Sequence, residues 1–131
     1  MDILIIGAGA MGGLFGALLA PVASVRLYTT NSTHARVINR DGLMLTEMDG
    51  TTHTVRIRVC AAPDDCGRQA DLVLLCTKAQ ATHAAAVTAR MLLAEQGLVL
   101  TLQNGLGNLE QIAAVVRSEE RRVGKECRSR W

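Results

Sequence analysis

Residues 3–20 read ILIIGAGAMGGLFGALLA, and this stretch decides the fold. A short Ile-rich run is followed at once by glycines and then by an Ala- and Leu-rich segment typical of a helix, which Pro21 ends. The glycines belong to a G-x-G-x-x-G motif, which predicts a dinucleotide-binding turn because it follows a strand and opens a helix. The six residues of the motif are Gly7, Ala8, Gly9, Ala10, Met11 and Gly12.

Each glycine of the motif is required for a different physical reason. Gly7 permits a tight turn, Gly9 lets the backbone approach a pyrophosphate, and Gly12 lets the helix pack closely on the strand. Backbone N–H groups at the start of the helix then face the phosphates, and the helix dipole adds attraction. We therefore expect the six motif residues to bind the pyrophosphate of a dinucleotide.

The rest of the chain alternates apolar strands with helices. Helices are predicted over residues 32–42, 81–97 and from 109 onward, with Ser32 as the N-cap of the first. Residues 43–59 hold two alternating runs around Asp49-Gly50, which predict a hairpin. The strands predicted to lie in the main sheet are 3–6, 24–29, 71–77 and 98–102.

Near-continuous apolar strands between helices indicate a parallel sheet that is covered on both faces. The fold class is therefore α/β, a Rossmann-type doubly wound and mainly parallel sheet. We expect residues 1–116 to form one dinucleotide-binding domain, with the sheet incomplete at its C-terminus. Apolar surface left uncovered by that incompleteness predicts weak stability or aggregation.

The end of the second strand indicates which cofactor binds. A carboxylate there would bind the ribose of NAD, whereas this chain has Thr30 and Asn31, whose neutral groups suit the 2′-phosphate of NADP with help from Arg36. We therefore predict NADP (NADPH) as the cofactor. Tighter binding of NADH than of NADPH would contradict this prediction.

Two further stretches follow strands at the ligand-binding edge of such a sheet. Lys78 offers a positive charge to a cofactor or substrate, and Asn104 offers a hydrogen bond to a ribose or a substrate oxygen. Both residues also have an explanation without function: Lys78 as a solvated lysine, and Asn104 as part of an Asn-Gly turn that caps a helix. The three histidines, His34, His53 and His83, have no partner at metal or triad spacing, so we expect surface residues and no metal site.

The segments GAGAMGGLFGALLA (7–20), TKAQ (77–80) and LQNGLGNLE (102–110), in this order, resemble the N-terminal domain of ketopantoate reductases. The resemblance covers about residues 1–116. It implies NADPH-dependent reduction of 2-dehydropantoate, a small keto acid, to pantoate on the route to pantothenate and coenzyme A. It also implies that Lys78 contacts the cofactor and that Asn104 contacts the nicotinamide ribose and the substrate.

The family places its catalytic Lys and a substrate-binding Glu in a helical second domain that is absent here. No residue of this chain is therefore nominated as catalytic, and we expect the chain alone to be inactive. The first alternative is a nucleotide-sensing regulatory domain, although such domains carry an acidic residue after the second strand. The second is a fragment of another NAD(P)-dependent hydroxy- or keto-acid dehydrogenase.

Composition limits the remaining function classes. No apolar run reaches 18 residues, so no membrane span is predicted. The four cysteines, Cys60, Cys66, Cys76 and Cys127, suit neither zinc nor a disulfide framework, and they indicate a reducing, cytoplasmic location. Residues 1–116 carry eight basic and nine acidic side chains, so they give no sign of nucleic-acid binding.

Residues 117–131, RSEERRVGKECRSRW, differ from the rest of the chain because they are Arg-rich and have no helical or strand period. The string matches, residue for residue, one reading frame of a common short-read sequencing adapter. We interpret it as a non-native, disordered tail that contributes neither to the fold nor to the function.

Overall fold

The computed structural model describes residues 1–116 and 122–125. Its strands are β1 (Asp2–Ile6), β2 (Ser24–Tyr28), β3 (Leu43–Thr46), β4 (Thr52–Val55), β5 (Arg58–Cys60), β6 (Ala70–Leu75), β7 (Leu93–Thr101) and β8 (Arg122–Lys125). Its α-helices are α1 (Ala10–Leu19), α2 (Ser32–Asp41), α3 (Thr82–Leu92) and α4 (Asn108–Val116). Two short 3₁₀ turns cover Pro63–Cys66 and Ala79–Ala81.

The main sheet has the strand order β5-β2-β1-β6-β7-β8, and every neighbouring pair is parallel. The chain runs outward from β1 through β2 to β5, then returns to the other side of β1 at β6. This reversal is the topological switch point at which ligands bind in doubly wound sheets. The predicted fold class is confirmed.

The core lies on both faces of β1. Ile3 and Ile5 pack in a cluster with α2, whereas Leu4 and Ile6 pack in a second cluster with α3 and α4. All four side chains are at most 2% exposed, and burying each contributes about 1.5–3 kcal/mol. The Ile-rich run of the sequence thus becomes a strand buried on both faces, which fixes the position of the turn that follows it.

The hairpin is confirmed as β3 paired antiparallel with β4, with Gly50 at a φ of +86° in its turn. Its second run is shorter than predicted because the chain leaves the hairpin and buries Ile57 against Gly16 of α1. β5 then joins the main sheet. The third predicted helix ends at Leu92 instead of Gly97, since Leu93 already pairs with Ala70 of β6.

Residues 60 and 66 correct the cysteine interpretation. Cys60 ends β5, and the following 3₁₀ turn brings Cys66 back to it, so the two form a disulfide with their Cα atoms 5.5 Å apart. That separation is in the usual range for a bridge. The prediction that the cysteine spacings suit no disulfide framework is therefore wrong for this pair, because the 3₁₀ turn folds the short segment between them back on itself.

The strand β8 departs from the expectation of a disordered tail. Its four residues pair in parallel with Leu98–Thr101 of β7. The edge of a sheet presents a row of backbone donors and acceptors to which an extended segment can pair. The rest of the predicted tail lies outside the described residues. Within the described residues, no helix has both the length and the apolar character to cross a membrane.

Candidate functional site

The Gly-rich turn connects β1 to α1 at the switch point. Gly7 has a φ of +107°, and a Cβ there would lie 2.9 Å from the carbonyl carbon of Cys76. A Cβ on Gly12 would lie 1.8 Å from the carbonyl oxygen of Gly7. Both positions therefore exclude a side chain, for the reasons of tight turn and close packing that the motif predicts.

Gly9 differs from its neighbours because a Cβ there would meet no protein atom within 4 Å. No packing within the described residues therefore demands glycine at this position. Open space beside the backbone is what close approach of a ligand requires.

The N-terminus of α1 has no side-chain cap. Gly9 is the N-cap residue, no side chain caps the helix by accepting from its first N–H groups, and the first turn holds no acidic residue. The first N–H groups of a helix have no intrahelical partner and carry a partial positive charge. Ala10, Met11 and Gly12 therefore present their N–H groups as an anion site of the kind that binds phosphate.

A groove of about 780 Å³ opens above this turn. It is lined by Ile6–Gly9, by Tyr28–Asn31 after β2, by Cys76–Lys78 after β6, and by side chains that lead into α3. Its volume is in the range of small-molecule and cofactor sites. Among the described residues that line it there is no carboxylate, and Lys78 supplies a positive charge.

At the β2 end of the groove, Asn31 is committed to the helix that follows. Its Oδ1 accepts from the backbone N–H of His34 at 3.0 Å, so Asn31, and not Ser32, is the N-cap of α2. The hydroxyl of Thr29 accepts from the N–H of Asn31 at 3.2 Å. Thr30 is exposed beside them. These contacts give the β2 end of the groove a polar, neutral rim.

His34 is exposed, as expected, but it also has a role that the sequence did not indicate. Its Nε2 lies 2.9 Å from the carbonyl oxygen of Ala8, so the ring tautomer with a proton on Nε2 donates to the Gly-rich turn. α2 is thereby joined to the turn through a side chain. A histidine on an isolated helical stretch gave no signal of this contact, which depends on how α2 crosses the sheet edge.

The loops after β6 and β7 lie side by side at the same edge. Lys78 is exposed and lines the groove, whereas Asn104 lies in the next loop and is not part of the groove lining. Gly105 and Gly107 have φ values of +117° and +82°, so that loop is built on glycine conformations. The predicted site residues after β1, β2 and β6 meet in one groove, and Asn104 lies beside it.

Buried Gln103 was missed by the sequence analysis. It is 8% exposed, and its side-chain amide donates to the backbone carbonyl and to the hydroxyl of Thr77, both at 2.9 Å. A glutamine before Asn-Gly carries no sequence signal of burial, because glutamine is usually exposed.

Cys76 also lines the groove, and burial raises the pKa of its thiol to about 11. Such a thiol is protonated and a poor nucleophile at neutral pH. No group of three or more metal-ligating side chains occurs within the described part of the chain.

The family model described as Ketopantoate reductase PanE/ApbA matches residues 3–125. The chain belongs to the ketopantoate reductase family. The 2-dehydropantoate 2-reductase of Halobacterium salinarum is 37% identical over 125 residues, which are 95% of this chain and 41% of that protein. The matched family is a family of oxidoreductases, and the match excludes the alternative of a nucleotide-sensing regulatory domain.

Two solved structures are close neighbours in fold. A PanE/ApbA family ketopantoate reductase from Ralstonia eutropha has a TM-score of 0.84 and 32% identity, covering 95% of this chain and 40% of that one. D-mandelate dehydrogenase, solved with NADH and anilino(oxo)acetate, has a TM-score of 0.80 and 28% identity, with the same coverage of 95% and 40%. The chain thus spans about two fifths of the length of these relatives.

Proposed function

We propose that this chain is the cofactor-binding part of a reductase that converts 2-dehydropantoate to pantoate with NADPH, on the route to pantothenate and coenzyme A. The observation that carries the proposal is the groove at the switch point, where the uncapped N-terminus of α1 lies beside the open space at Gly9. When bound there, NADPH would supply the hydride for the keto carbon.

The chain's own residues would hold the cofactor in three places. Gly7 to Gly12, with Ala8, Ala10 and Met11 between the glycines, would surround the pyrophosphate with backbone N–H groups. Thr30 and Asn31 would bind the adenosine ribose and its 2′-phosphate. Lys78 would contact the cofactor by charge, and Asn104 would hydrogen-bond the nicotinamide ribose and the keto acid.

Catalysis is a separate proposal. We assign no catalytic residue within this chain, and we expect the chain alone to bind cofactor without turnover. Hydride transfer needs a proton donor held at the keto oxygen, together with the substrate. Neither Lys78 nor Asn104 is proposed to be that proton donor.

A second candidate is supported by the ribose end of the groove. In NADP-binding sheets of this type an arginine near the end of the second strand commonly accommodates the 2′-phosphate, whereas this chain has the uncharged Thr30 there. D-mandelate dehydrogenase, a neighbour in fold, is solved with NADH. An NADH-dependent reductase of another 2-keto acid is therefore the alternative.

The test is titration of the chain with NADPH and with NADH, followed by thermal melting with each. The proposal expects tighter binding of NADPH and a cooperative transition that NADPH raises. Tighter NADH binding would favour the second candidate, and absence of binding by both would refute a cofactor role.

The setting of this domain is also proposed. We place the protein in the cytoplasm, where the disulfide between Cys60 and Cys66 would be open to reduction. We further propose that residues 117–131 are a non-native tail, although the family match extends to residue 125. Resequencing the gene tests this, because the proposal expects the gene to carry other codons at positions 117–131.

A further inference from the structure

We propose that Gln103 is a positioning residue, whose buried side chain ties the loop of Asn104 to the end of β6 and so sets where Asn104 meets the nicotinamide half of the cofactor. The inference rests on the proposed function, because it concerns the same groove. Neither Gln103 nor its partner Thr82 lines the groove, so both would act through other residues.

The side chain of Gln103 joins two strand ends. Its Nε2 donates to the carbonyl and the hydroxyl of Thr77, both at 2.9 Å, and lies 3.4 Å from the carbonyl oxygen of Lys78. Its Oε1 accepts from the hydroxyls of Thr101 at 3.1 Å and Thr82 at 3.3 Å. The amide thus uses both its donors and its acceptor on groups that lie at or beside the ligand-binding edge.

The same network reaches the backbone of Asn104. Thr82, which is fully buried, contacts the carbonyl oxygen of Ala79 at 2.7 Å and Oδ1 of Asn108 at 3.2 Å. Asn108 in turn donates from Nδ2 to the carbonyl oxygen of Asn104 at 3.0 Å. The loops after β6 and β7 are therefore linked by side chains from the start of α3 and α4.

This arrangement predicts an effect confined to one half of the groove. The partners of Gln103 belong to the ends of β6 and β7 and to α3, whereas the ribose end, at Thr29–Asn31, follows β2 on the other side of β1. Loss of the Gln103 amide would leave the carbonyl and the hydroxyl of Thr77 without their donor. The Asn104 loop would then shift relative to the end of β6, and the adenosine end would keep its geometry.

The experiment compares Gln103→Met in the 131-residue chain with Gln111→Met, the same change on an exposed glutamine of α4. Methionine is uncharged and of similar length, so no new repulsion of phosphate is introduced. Dissociation constants are measured by calorimetry for NADPH and for adenosine 2′,5′-bisphosphate, which lacks the nicotinamide half. Thr82→Val and Thr82→Ser are measured in the same way.

Gln103→Met is expected to weaken NADPH binding at least fivefold and to change bisphosphate binding less than twofold, while Gln111→Met changes neither. Thr82→Val should also weaken NADPH binding more than bisphosphate binding, but to a smaller degree. Thr82→Ser, which keeps the hydroxyl, should bind both ligands as the parent chain does. Equal weakening of both ligands would show a merely structural role and overturn the inference, as would no weakening of either. If Gln103→Met fails to fold, the Thr82 pair decides. A parent chain that binds neither ligand would refute the proposed function, a distinct result.

Discussion

Alanine substitutions at Gly9 and Gly12 are expected to separate cofactor binding from folding. The two glycines lie three residues apart in one motif, and the chemical change is the same, a single methyl group. Their surroundings differ: a Cβ at Gly9 meets nothing within 4 Å, whereas a Cβ at Gly12 lies 1.8 Å from the carbonyl oxygen of Gly7. Each of the two variants therefore serves as the matched control for the other.

Gly9→Ala should fold. The φ of −79° and ψ of −164° at Gly9 are open to alanine, so we expect the free energy of unfolding to change by no more than about 1 kcal/mol. The new methyl group would occupy the space beside the uncapped helix N-terminus. Loss of one hydrogen bond to a charged phosphate costs about 1.5–3 kcal/mol, which raises the NADPH dissociation constant at least about tenfold.

Gly12→Ala should be strongly destabilised. One backbone segment must move by about 1.2 Å to bring the new contact to the 3.0 Å limit of real Cβ atoms. Overpacking of this kind costs about 3 kcal/mol or more, a large share of the about 5–15 kcal/mol of a typical domain. We expect Tm to fall by more than about 10 °C. The reasoning is refuted if Gly12→Ala melts like the parent chain, or if Gly9→Ala binds NADPH with an unchanged dissociation constant.

Three further predictions concern the rim and the floor of the groove. His34→Ala, which removes the donor to Ala8, should weaken NADPH binding about two- to tenfold, the worth of one net hydrogen bond, and His34→Gln should recover part of it; equal affinity of all three chains in a fluorescence titration would contradict a role for this contact. Burial raises the pKa of the Cys76 thiol from 9.0 to about 11, so alkylation followed by peptide mass mapping should show a rate that rises about twentyfold between pH 9 and 10.5 and that NADPH suppresses; a rise of only about twofold over that interval would show an ordinary thiol. Thr30→Arg should shift the ratio of NADPH to NADH affinity toward NADPH about tenfold or more, because a guanidinium pairs with the 2′-phosphate, while Thr52→Arg on the exposed hairpin leaves that ratio unchanged; an unshifted ratio in Thr30→Arg would place the 2′-phosphate elsewhere.

The four central strands of the main sheet, β2, β1, β6 and β7, were predictable because their signal is local. The apolar run from Ile3 to Ile6 predicts a strand buried on both faces. Gly7 and Gly12 lie where a Cβ would clash, as the motif predicts. The hairpin turn at Asp49-Gly50 is local in the same sense. Patterns of this kind depend on a few adjacent residues, so a single sequence carries them.

The contacts that join distant segments were not predictable in that way. The contact of His34 with Ala8 spans 26 positions, and so does the bond from Gln103 to Thr77. Both are polar contacts made by residue types that are usually exposed. The disulfide between Cys60 and Cys66 is local, yet it depends on a 3₁₀ turn that the polar sequence between them did not specify.

The strand β8 shows how a parallel sheet responds to a segment with little strand character of its own. The hydrogen bonds of a ladder are made by backbone groups, so pairing with the edge of β7 asks only that Arg122–Lys125 be extended. A residue-for-residue match to adapter sequence and a parallel pairing are therefore compatible observations. The pairing of four residues carries no information on where they came from, whereas a match over fifteen consecutive residues does. Every described side chain that lines the groove lies within residues 1–116, so the proposed cofactor site does not depend on β8.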